Sequence, residues 1–264
     1  MSPTPAVLVI SSQVAAGPVG ASAAAPALLS LGVIPIVVPT ILFTNHPGHG
    51  RPEGTIAEAA TVGAMLHRLM ELGFLEACRC VLSGYFANTE QVVAAADFIA
   101  AYRASNPDIY YLCDPIVGDD GELYVKQDIA EAIRDRLVPM AQGLTPNAFE
   151  AAWMSDMAIR STEDARLASR IWPDKDVIVT SIPEGDDRLT TAVFGHGEEC
   201  IVSRPRLSHV PHGIGDLLSG LAAGHIARGE KLARALPEMI DTLDRVIAAS
   251  EGSDSLDLAR GLKP

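Results

Sequence analysis

The stretch that decides the fold is His212-Gly213-Ile214-Gly215-Asp216, which continues without a break into Leu217-Leu218-Ser219-Gly220-Leu221-Ala222-Ala223-Gly224-His225-Ile226. Two glycines allow backbone conformations in which successive N–H groups converge on an anion, and a helix N-terminus adds partial positive charge there. The apolar residues after Asp216 recur at the helical period, which predicts a buried helix. This stretch therefore predicts an oxyanion or phosphate site at the start of that helix.

Asp216 has two interpretations at this point. A carboxylate in the first turn of a helix is a favourable cap, because it faces the positive end of the helix dipole. A carboxylate beside a phosphate site can also take a proton from a hydroxyl group. The spacing of the motif alone does not separate a cap from a general base.

Short β-branched runs alternate with helix-length patterns along the chain. Strands are predicted at 7–10, 33–38, 80–82, 109–113 and 176–180, and further helices at 20–31, 55–72, 89–104, 127–137, 147–154, 161–172 and 230–250. Strands that are apolar on both faces and separated by helices indicate an α/β fold, with a largely parallel sheet covered by helices on both faces. Runs at 190–194 and 199–202 lack an intervening helix and predict an antiparallel hairpin at one edge. We expect one domain over residues 1–250 and a C-terminal tail over 251–264.

Charge and cysteine content limit the possible partners and compartment. The net charge of −13 argues against nucleic acid or an anionic membrane surface as the main partner, since both require a basic face. The chain has no Asp, Glu, Lys or Arg before Arg51, but prolines interrupt this stretch well short of a membrane span. The cysteines have no metal-binding or CxxC spacing, so we interpret them as reduced thiols of a cytoplasmic protein. They are Cys78, Cys80, Cys113 and Cys200.

Asp114, Asn147 and Glu150 form a second group of candidate functional residues. Asp114 directly follows a predicted strand, where ligands bind in open α/β sheets. Asn147 and Glu150 lie three residues apart at a predicted helix start, which is the spacing of a capping box. With Asp114 they can alternatively hold Mg²⁺, a hard ion that takes a few oxygen ligands and shares itself with phosphates. Capping and metal binding are compatible.

Several segments together resemble the pyridoxal kinases of the ribokinase-like superfamily, in family order and over residues 7 to about 228. The resembling segments are Ser12-Gln13-Val14-Ala15-Ala16-Gly17-Pro18-Val19-Gly20, Phe43-Thr44-Asn45-His46, Ser83-Gly84-Tyr85, Cys113-Asp114-Pro115-Ile116-Val117-Gly118-Asp119, Leu144-Thr145-Pro146-Asn147-Ala148-Phe149-Glu150 and Gly213-Ile214-Gly215-Asp216. The resemblance implies a ribokinase-like fold and ATP-dependent phosphorylation of the 5′-hydroxymethyl group of pyridoxal, pyridoxine or pyridoxamine, in vitamin B6 salvage to pyridoxal 5′-phosphate. It also implies a homodimer.

The resemblance further implies roles for individual residues. Asp216 is the expected general base, and the N–H groups around Gly213 and Gly215 stabilise the transferring phosphoryl group. Mg²⁺ is expected near Asp114 and Glu150, bridging the phosphates of ATP. Expected nucleotide contacts are Asp114, Asn147, Glu150, Thr180, Arg204, Pro205, Arg206 and Leu207. Arg204 and Arg206 are expected to supply local positive charge for the phosphates. Expected contacts to the B6 vitamer are Ser12, Phe43, Pro47, Gly48, Tyr85 and Asp216.

Three positions depart from the family pattern and leave the preferred vitamer open. Pro47 stands where these kinases usually carry Thr, Gln13 where His is frequent, and Ala16 where an aromatic residue is common. Two alternatives to a pyridoxal kinase remain. A hydroxymethylpyrimidine kinase acts on a chemically close hydroxymethyl group, but residues 43–46 and 83–85 argue against it. A non-catalytic vitamer or nucleotide sensor is disfavoured by Asp216, Asp114 and Glu150, because a pure binder needs no base.

Overall fold

The computed structural model describes residues 3–263 and contains two β-sheets. The strands are β1 (Ala6–Val14), β2 (Ile34–Phe43), β3 (Gly54–Ile56), β4 (Cys78–Ser83), β5 (Tyr110–Cys113), β6 (Gly118–Asp119), β7 (Glu122–Leu123), β8 (Gly143–Leu144), β9 (Asp176–Glu184), β10 (Arg188–Gly195) and β11 (Glu198–Pro205). The helices are α1 (Ala21–Ser30), α2 (Ala59–Glu71), α3 (Thr89–Ser105), α4 (Gln127–Ala132), α5 (Ala148–Ser155), α6 (Thr162–Ser169), α7 (Ile214–Ala227), α8 (Leu232–Ala249) and α9 (Leu258–Gly261).

The large sheet has the strand order β11-β10-β9-β8-β5-β4-β1-β2-β3. The six strands from β9 to β2 in this order pair in parallel, which confirms the predicted α/β fold. β9, β10 and β11 pair antiparallel at one edge, which confirms the hairpin predicted there. Because the parallel strands share one direction, their carboxyl ends gather at a single edge of the sheet, where ligands bind in such folds.

Two predicted helices were partly wrong. The pattern at 55–72 begins as strand β3, which pairs antiparallel with the end of β2, and the helix starts only at Ala59. The helix predicted at 127–137 ends at Ala132 and continues as a π-helical turn over Ile133–Leu137. In both cases residues with apolar character serve an edge strand or an irregular turn, which periodicity alone does not distinguish from a helix.

The core lies on both faces of the sheet because successive residues of the central strands point to opposite sides. Leu8 and Ile10 of β1 face the helices α2 and α3, whereas Val7 and Val9 face α1, α7 and α8. On that second side α7 approaches α1 closely at Gly220, where a Cβ would come within 2.6 Å of the Ala24 Cα. The close approach fixes the middle of α7 against α1.

The segment expected to be a tail folds back on α8. Asp257 caps α9 by accepting from the Arg260 N–H at 3.0 Å, and Gly261 is buried against Val246. Leu256 is also buried. Pro264, the last residue of the expected tail, lies outside the described residues. The division into a domain of 1–250 and a tail stays a prediction.

Among residues 3–263, no helix combines the length and the apolar character needed to cross a bilayer.

Candidate active site

The glycine turn predicted from the sequence lies at the N-terminus of α7. Gly213 occupies the N-cap with a left-handed backbone (φ 97°), and a Cβ there would come within 2.3 Å of the Pro18 carbonyl oxygen. Gly215 faces open space, since a Cβ at this position would meet no atom of another segment within 4 Å. The loop after β1 therefore contacts the turn at Gly213, and the turn is open to a ligand at Gly215.

The carboxyl group of Asp216 lies in a small cavity lined by residues of β1, α1, β4 and α7. Asp216 is half-buried: solvent reaches it through the cleft, while protein atoms surround its carboxyl group. Burial raises the pKa of Asp216 to about 6, and a hydrogen bond donated by the Gly20 N–H opposes part of this rise. A carboxyl group with this pKa is largely ionised at neutral pH and still accepts a proton readily.

Asp114 faces the same cavity from the end of β5. It is buried and accepts a hydrogen bond from the Ser219 hydroxyl at 2.7 Å, and Ser219 also contacts the Thr145 hydroxyl at 2.9 Å. Burial, and then the nearby charge of Asp216, raise the pKa of Asp114. Two carboxyl groups from separate elements thus share one cleft, and each makes ionisation of the other less favourable.

Glu150 and Asn147 form the capping box that their spacing predicted. The Asn147 Oδ1 accepts from the Glu150 N–H at 2.8 Å, and the Glu150 Oε2 accepts from the Asn147 N–H at 2.9 Å. The Glu150 Oε1 also accepts from the Val117 N–H at 3.0 Å, and the Asn147 amide donates to the Gly118 carbonyl at 2.8 Å. Burial and the charge of Asp114 raise the pKa of Glu150. This pair therefore anchors the β6–β7 hairpin to the start of α5.

Ser12 and Tyr85 lie at the ends of adjacent strands. Ser12 falls where the register between β1 and β2 shifts, and such irregularities redirect side chains near functional sites. Its hydroxyl packs on Gly20, where a Cβ would come within 2.0 Å of the Ser12 Oγ. Tyr85 is half-buried, and its N–H donates to the Ser11 hydroxyl at 3.1 Å. The structure therefore brings Ser12 beside the Gly20–Asp216 contact, with Tyr85 on the neighbouring strand end.

Phe43, Pro47 and Gly48 belong to a loop that leaves the end of β2. Phe43 is half-buried at the last position of β2, and Pro47 and Gly48 form an exposed 3₁₀ turn with His49. Gly48 approaches His212, the residue before the glycine turn, so closely that a Cβ would lie 2.5 Å from the His212 Nε2. The loop thus reaches the glycine turn across the cleft.

Thr180 lies beside the capping box at the end of the parallel part of β9. Its N–H donates to the Pro146 carbonyl at 3.0 Å, and it forms a parallel bridge with Asn147. The next residue, Ser181, has a left-handed backbone (φ 56°), which is uncommon for a serine and concentrates at functional sites. The structure therefore brings Thr180, Asn147 and Glu150 together.

The segment from Arg204 to Leu207 differs from the sequence-based expectation, because the positive charge of Arg204 is not free. The Arg204 guanidinium pairs with Asp241 at 2.9 Å and Asp244 at 2.7 Å on α8, so its charge is neutralised within the protein. This corrects the inference that Arg204 supplies local positive charge. Pro205 ends β11, the Arg206 N–H donates to the Asp187 carbonyl at 2.7 Å, and Leu207 is exposed. A nucleotide contact by these residues stays a prediction.

Ser219 and Tyr124 are two residues of the cleft that the sequence did not single out. Ser219 lies one turn after Asp216 on α7, so the helical spacing contained a signal for it. Tyr124 follows the β6–β7 hairpin and is 58% exposed, yet burial of its hydroxyl end and the charges of Glu150 and Asp114 raise its pKa. Two-residue strands carry no periodicity, so the sequence held no signal that brings Tyr124 near Glu150 and Asp114.

The topology and the site together define the class of protein. A parallel sheet with antiparallel edges, a glycine turn opening a buried helix, and an aspartate in the first turn of that helix are the features of a small-molecule kinase of the ribokinase-like superfamily. Residues 29–261 match the family model described as phosphomethylpyrimidine kinase.

Comparisons with related proteins and solved structures identify the family within this superfamily. A pyridoxine/pyridoxal/pyridoxamine kinase of Bordetella avium is 33% identical over 96% of this chain and 88% of its own length. The structure is similar to that of pyridoxal kinase from Entamoeba histolytica, with a TM-score of 0.90, 25% identity, and coverage of 98% and 94% of the two chains. A pyridoxal kinase from Leishmania donovani in complex with ADP and pyridoxine gives a TM-score of 0.89 at 25% identity, covering 97% and 94%. The chain belongs to the pyridoxal kinase family.

Proposed function

We propose that this protein phosphorylates the 5′-hydroxymethyl group of pyridoxal, and of related B6 vitamers, with ATP as phosphoryl donor, in salvage to pyridoxal 5′-phosphate. The observation that carries the proposal is the carboxyl group of Asp216, which lies in a cleft at the N-terminus of α7 with its pKa raised to about 6. The Leishmania donovani relative in complex with ADP and pyridoxine supports the same pair of ligands.

The chemistry follows from the placement of Asp216. Its carboxylate accepts the proton of the substrate hydroxyl as that oxygen attacks the γ-phosphorus of ATP. The bond from the γ-phosphorus to the β–γ bridging oxygen breaks, and ADP leaves. N–H groups at the start of α7, around Gly213 and Gly215, stabilise charge on the transferring group. Phosphoryl transfer depends mostly on positioning and electrostatics, which these groups supply at the acceptor hydroxyl and the transferring group.

The residues of the cleft fit a bound Mg²⁺. Asp114 and Glu150 are both buried, and the charge of Asp114 is one of the causes that raise the pKa of Glu150, so a divalent cation would offset their repulsion. Over residues 3–263 no group of three His, Cys, Asp or Glu side chains could hold a metal. The two carboxyl groups of Asp114 and Glu150 suit an ion that takes its other oxygen ligands from nucleotide phosphates and water. Bound Mg²⁺ would neutralise phosphate charge.

We assign contacts to the two substrates from the positions of the residues around the cleft. We assign Ser12, Phe43, Pro47, Gly48 and Tyr85 to the vitamer, because they lie at the strand ends and loop around Asp216. Asp114, Asn147, Glu150, Thr180 and the segment from Arg204 to Leu207 are assigned to the nucleotide. The paired charge of Arg204 makes it the weakest of these assignments.

A hydroxymethylpyrimidine kinase is the second candidate. The matching family model carries the description phosphomethylpyrimidine kinase, and both substrates present a hydroxymethyl group on a flat nitrogen ring. The two activities use the same transfer chemistry and differ in the ring that the loop at 43–50 contacts. A substrate comparison therefore separates them, whereas a test of the catalytic base does not.

The function is tested by incubating the purified protein with Mg-ATP and each of pyridoxal, pyridoxine, pyridoxamine and hydroxymethylpyrimidine. Product is detected by mass, and the phosphate position is assigned by ³¹P–¹H correlation. We expect a 5′-phosphorylated vitamer as the best product. Preferential phosphorylation of hydroxymethylpyrimidine would replace the proposal with the second candidate, and vitamer binding without product would identify a sensor.

Three further properties belong to this proposal. A homodimer is supported by the family resemblance. A cytoplasmic location is supported by the free thiols of Cys78, Cys80, Cys113 and Cys200, three of which are buried. A single ribokinase-like domain over 1–250 is supported by the continuous large sheet.

A further inference from the structure

Three imidazole rings meet where the loop from β2 reaches the glycine turn. His46 and His49 belong to that loop, residues 43–50, here called the substrate loop, and His212 directly precedes Gly213. The ring centroids of His46 and His212 lie 4.3 Å apart at an interplanar angle of 37°, and those of His49 and His212 lie 6.0 Å apart at 90°. No step of the proposed phosphoryl transfer uses these rings.

The substrate loop is shaped to hold the His212 ring. The His46 Nδ1 accepts from the Gly48 N–H at 3.1 Å, which fixes the His46 ring within the loop and caps the turn Pro47–His49. A Cβ at position 48 would lie 2.5 Å from the His212 Nε2, so only glycine allows the backbone to approach the ring this closely. Residues 46 to 49 therefore contact His212 with one tilted ring, one glycine backbone and one ring edge.

The same contact extends to the loop after β1. A Cβ at Gly17 would lie 3.1 Å from the His49 Nε2, so the substrate loop also touches the segment that ends in Gly20. Gly20 donates to Asp216, and His212 is four residues before Asp216 in the chain. The imidazole cluster of His46, His49 and His212 thus joins the three segments around the acceptor hydroxyl. Burial, followed by the nearby His212 and His49, lowers the pKa of His46, which favours the neutral form of the His46 ring.

We propose that His212 is a positioning residue that holds the substrate loop against the glycine turn and thereby sets affinity for the vitamer rather than the rate of phosphoryl transfer. The inference rests on the proposed function, because it assigns the loop to the acceptor substrate. Since His212 acts through the loop and not on the reacting atoms, its loss affects the KM for the vitamer. The KM for ATP depends on the residues assigned to the nucleotide, and kcat depends on Asp216 and on the N–H groups around Gly213 and Gly215.

The test compares His212→Ala, His212→Phe and Gly48→Ala with two matched controls. His196→Asn removes an imidazole from the β10–β11 turn, where a left-handed backbone (φ 46°) suits asparagine. Gly63→Ala adds a methyl group in α2 at ordinary contact distance, 3.9 Å from the Ala94 Cβ. For each protein we would measure both KM values, kcat, and the ring ¹H–¹³C resonances of His46.

We expect His212→Ala to raise the KM for the vitamer about fivefold, as loss of one aromatic contact suggests, with kcat and the KM for ATP changed by less than about twofold. His212→Phe keeps a ring and should restore most of the affinity. Gly48→Ala should act like His212→Ala, and both should shift the His46 resonances. The controls should leave all values near wild type.

An unchanged His46 resonance in His212→Ala would overturn the contact itself. A fall in kcat at constant vitamer KM, or equal effects on both substrates, would overturn the positioning role. If the wild-type protein phosphorylates none of the vitamers, the proposed function fails and the claim on vitamer affinity fails with it. The ring resonances still decide whether the substrate loop holds His212.

Discussion

At Asp216, the burial that makes the carboxylate a better base also makes its charge unfavourable in the folded protein. Its pKa of about 6 places the change of protonation just below neutral pH. Asp114 and Glu150 are affected in the same direction, because each is buried close to another acid. Acids that cost stability are retained where they do chemistry, so loss of charge in this cluster should reduce activity without reducing stability.

The pH dependence of turnover tests Asp216 as the base. Because the base form is the ionised carboxylate, kcat/KM for the vitamer should rise with pH through about 6 and then level off. Initial rates measured between pH 5 and 8 at saturating Mg-ATP would show this, with the melting temperature recorded at each pH. A rate that is constant from pH 5 to 7 in folded protein contradicts the assignment.

Asp114→Asn should stabilise the ligand-free protein at high pH. The pKa of the Asp114 carboxyl group is higher in the folded than in the unfolded protein. Its contribution to stability is therefore fully present below the unfolded pKa and is lost as the pH rises through the folded pKa. Asparagine stays neutral, so the Tm of the variant relative to wild type should be higher by about 2–4 °C at pH 9 than at pH 5.5.

The melting curves for Asp114→Asn are recorded in EDTA without nucleotide. Asp241→Asn is the control, since Asp241 pairs with Arg204 at the surface and should show no such gain at high pH. A difference in Tm that does not change with pH would mean that Asp114 is ionised in the folded protein throughout this range, so that its pKa is not raised.

Glu150→Gln should weaken metal-dependent turnover, with partial rescue by raised Mg²⁺, because it removes one negative charge near the proposed metal. Glutamine keeps one acceptor oxygen, for either the Asn147 N–H or the Val117 N–H, and the hydrogen bond from the Asn147 amide to the Gly118 carbonyl still joins the hairpin to α5. The measurement is the Mg²⁺ dependence of kcat in both proteins. Wild-type turnover together with wild-type Mg²⁺ dependence would leave Glu150 as a cap only.

At the scale of elements, the long helices and buried strands were predictable because each repeats its pattern over enough residues. α7 and the antiparallel hairpin β10–β11 are examples. The two-residue strands β6, β7 and β8 were not predictable, since two residues carry no periodicity. Accordingly, the site residues on α5, α7 and the ends of long strands were identified from the sequence, whereas Tyr124, which follows the β6–β7 hairpin, was not. The paired charge of Arg204 was also missed, because its partners lie on α8, far along the chain.

The substrate loop is the element where this chain departs from the family pattern. Pro47→Thr places a hydroxyl in the exposed turn after β2 and should improve pyridoxal relative to the other vitamers. A hydrogen bond to substrate typically contributes about 0.5–1.5 kcal/mol, so the gain in relative kcat/KM should be several-fold at most. The check is a competition among the three vitamers, with Pro52→Thr as the control. An unchanged ranking removes Pro47 from the substrate site.

At the scale of the whole molecule, the parallel topology explains why residues so distant in sequence meet. Asp114 follows β5, Glu150 lies on α5 and Asp216 on α7, and all three approach the carboxyl edge of one sheet. The sheet fixes these positions through its buried faces, so the acids do not have to stabilise the fold. Loss of catalysis and loss of folding should therefore be separable.

Asp216→Asn tests that separation and the proposed activity most directly. Asparagine keeps the size of the side chain and much of its capping ability, but it cannot accept the hydroxyl proton. With Mg-ATP and pyridoxal we expect kcat to fall by roughly 10²–10⁴-fold while ATP affinity and Tm change little. A folded Asp216→Asn protein that phosphorylates the vitamer within a few-fold of the wild-type rate would contradict the account, and Asp216 would then be a helix cap.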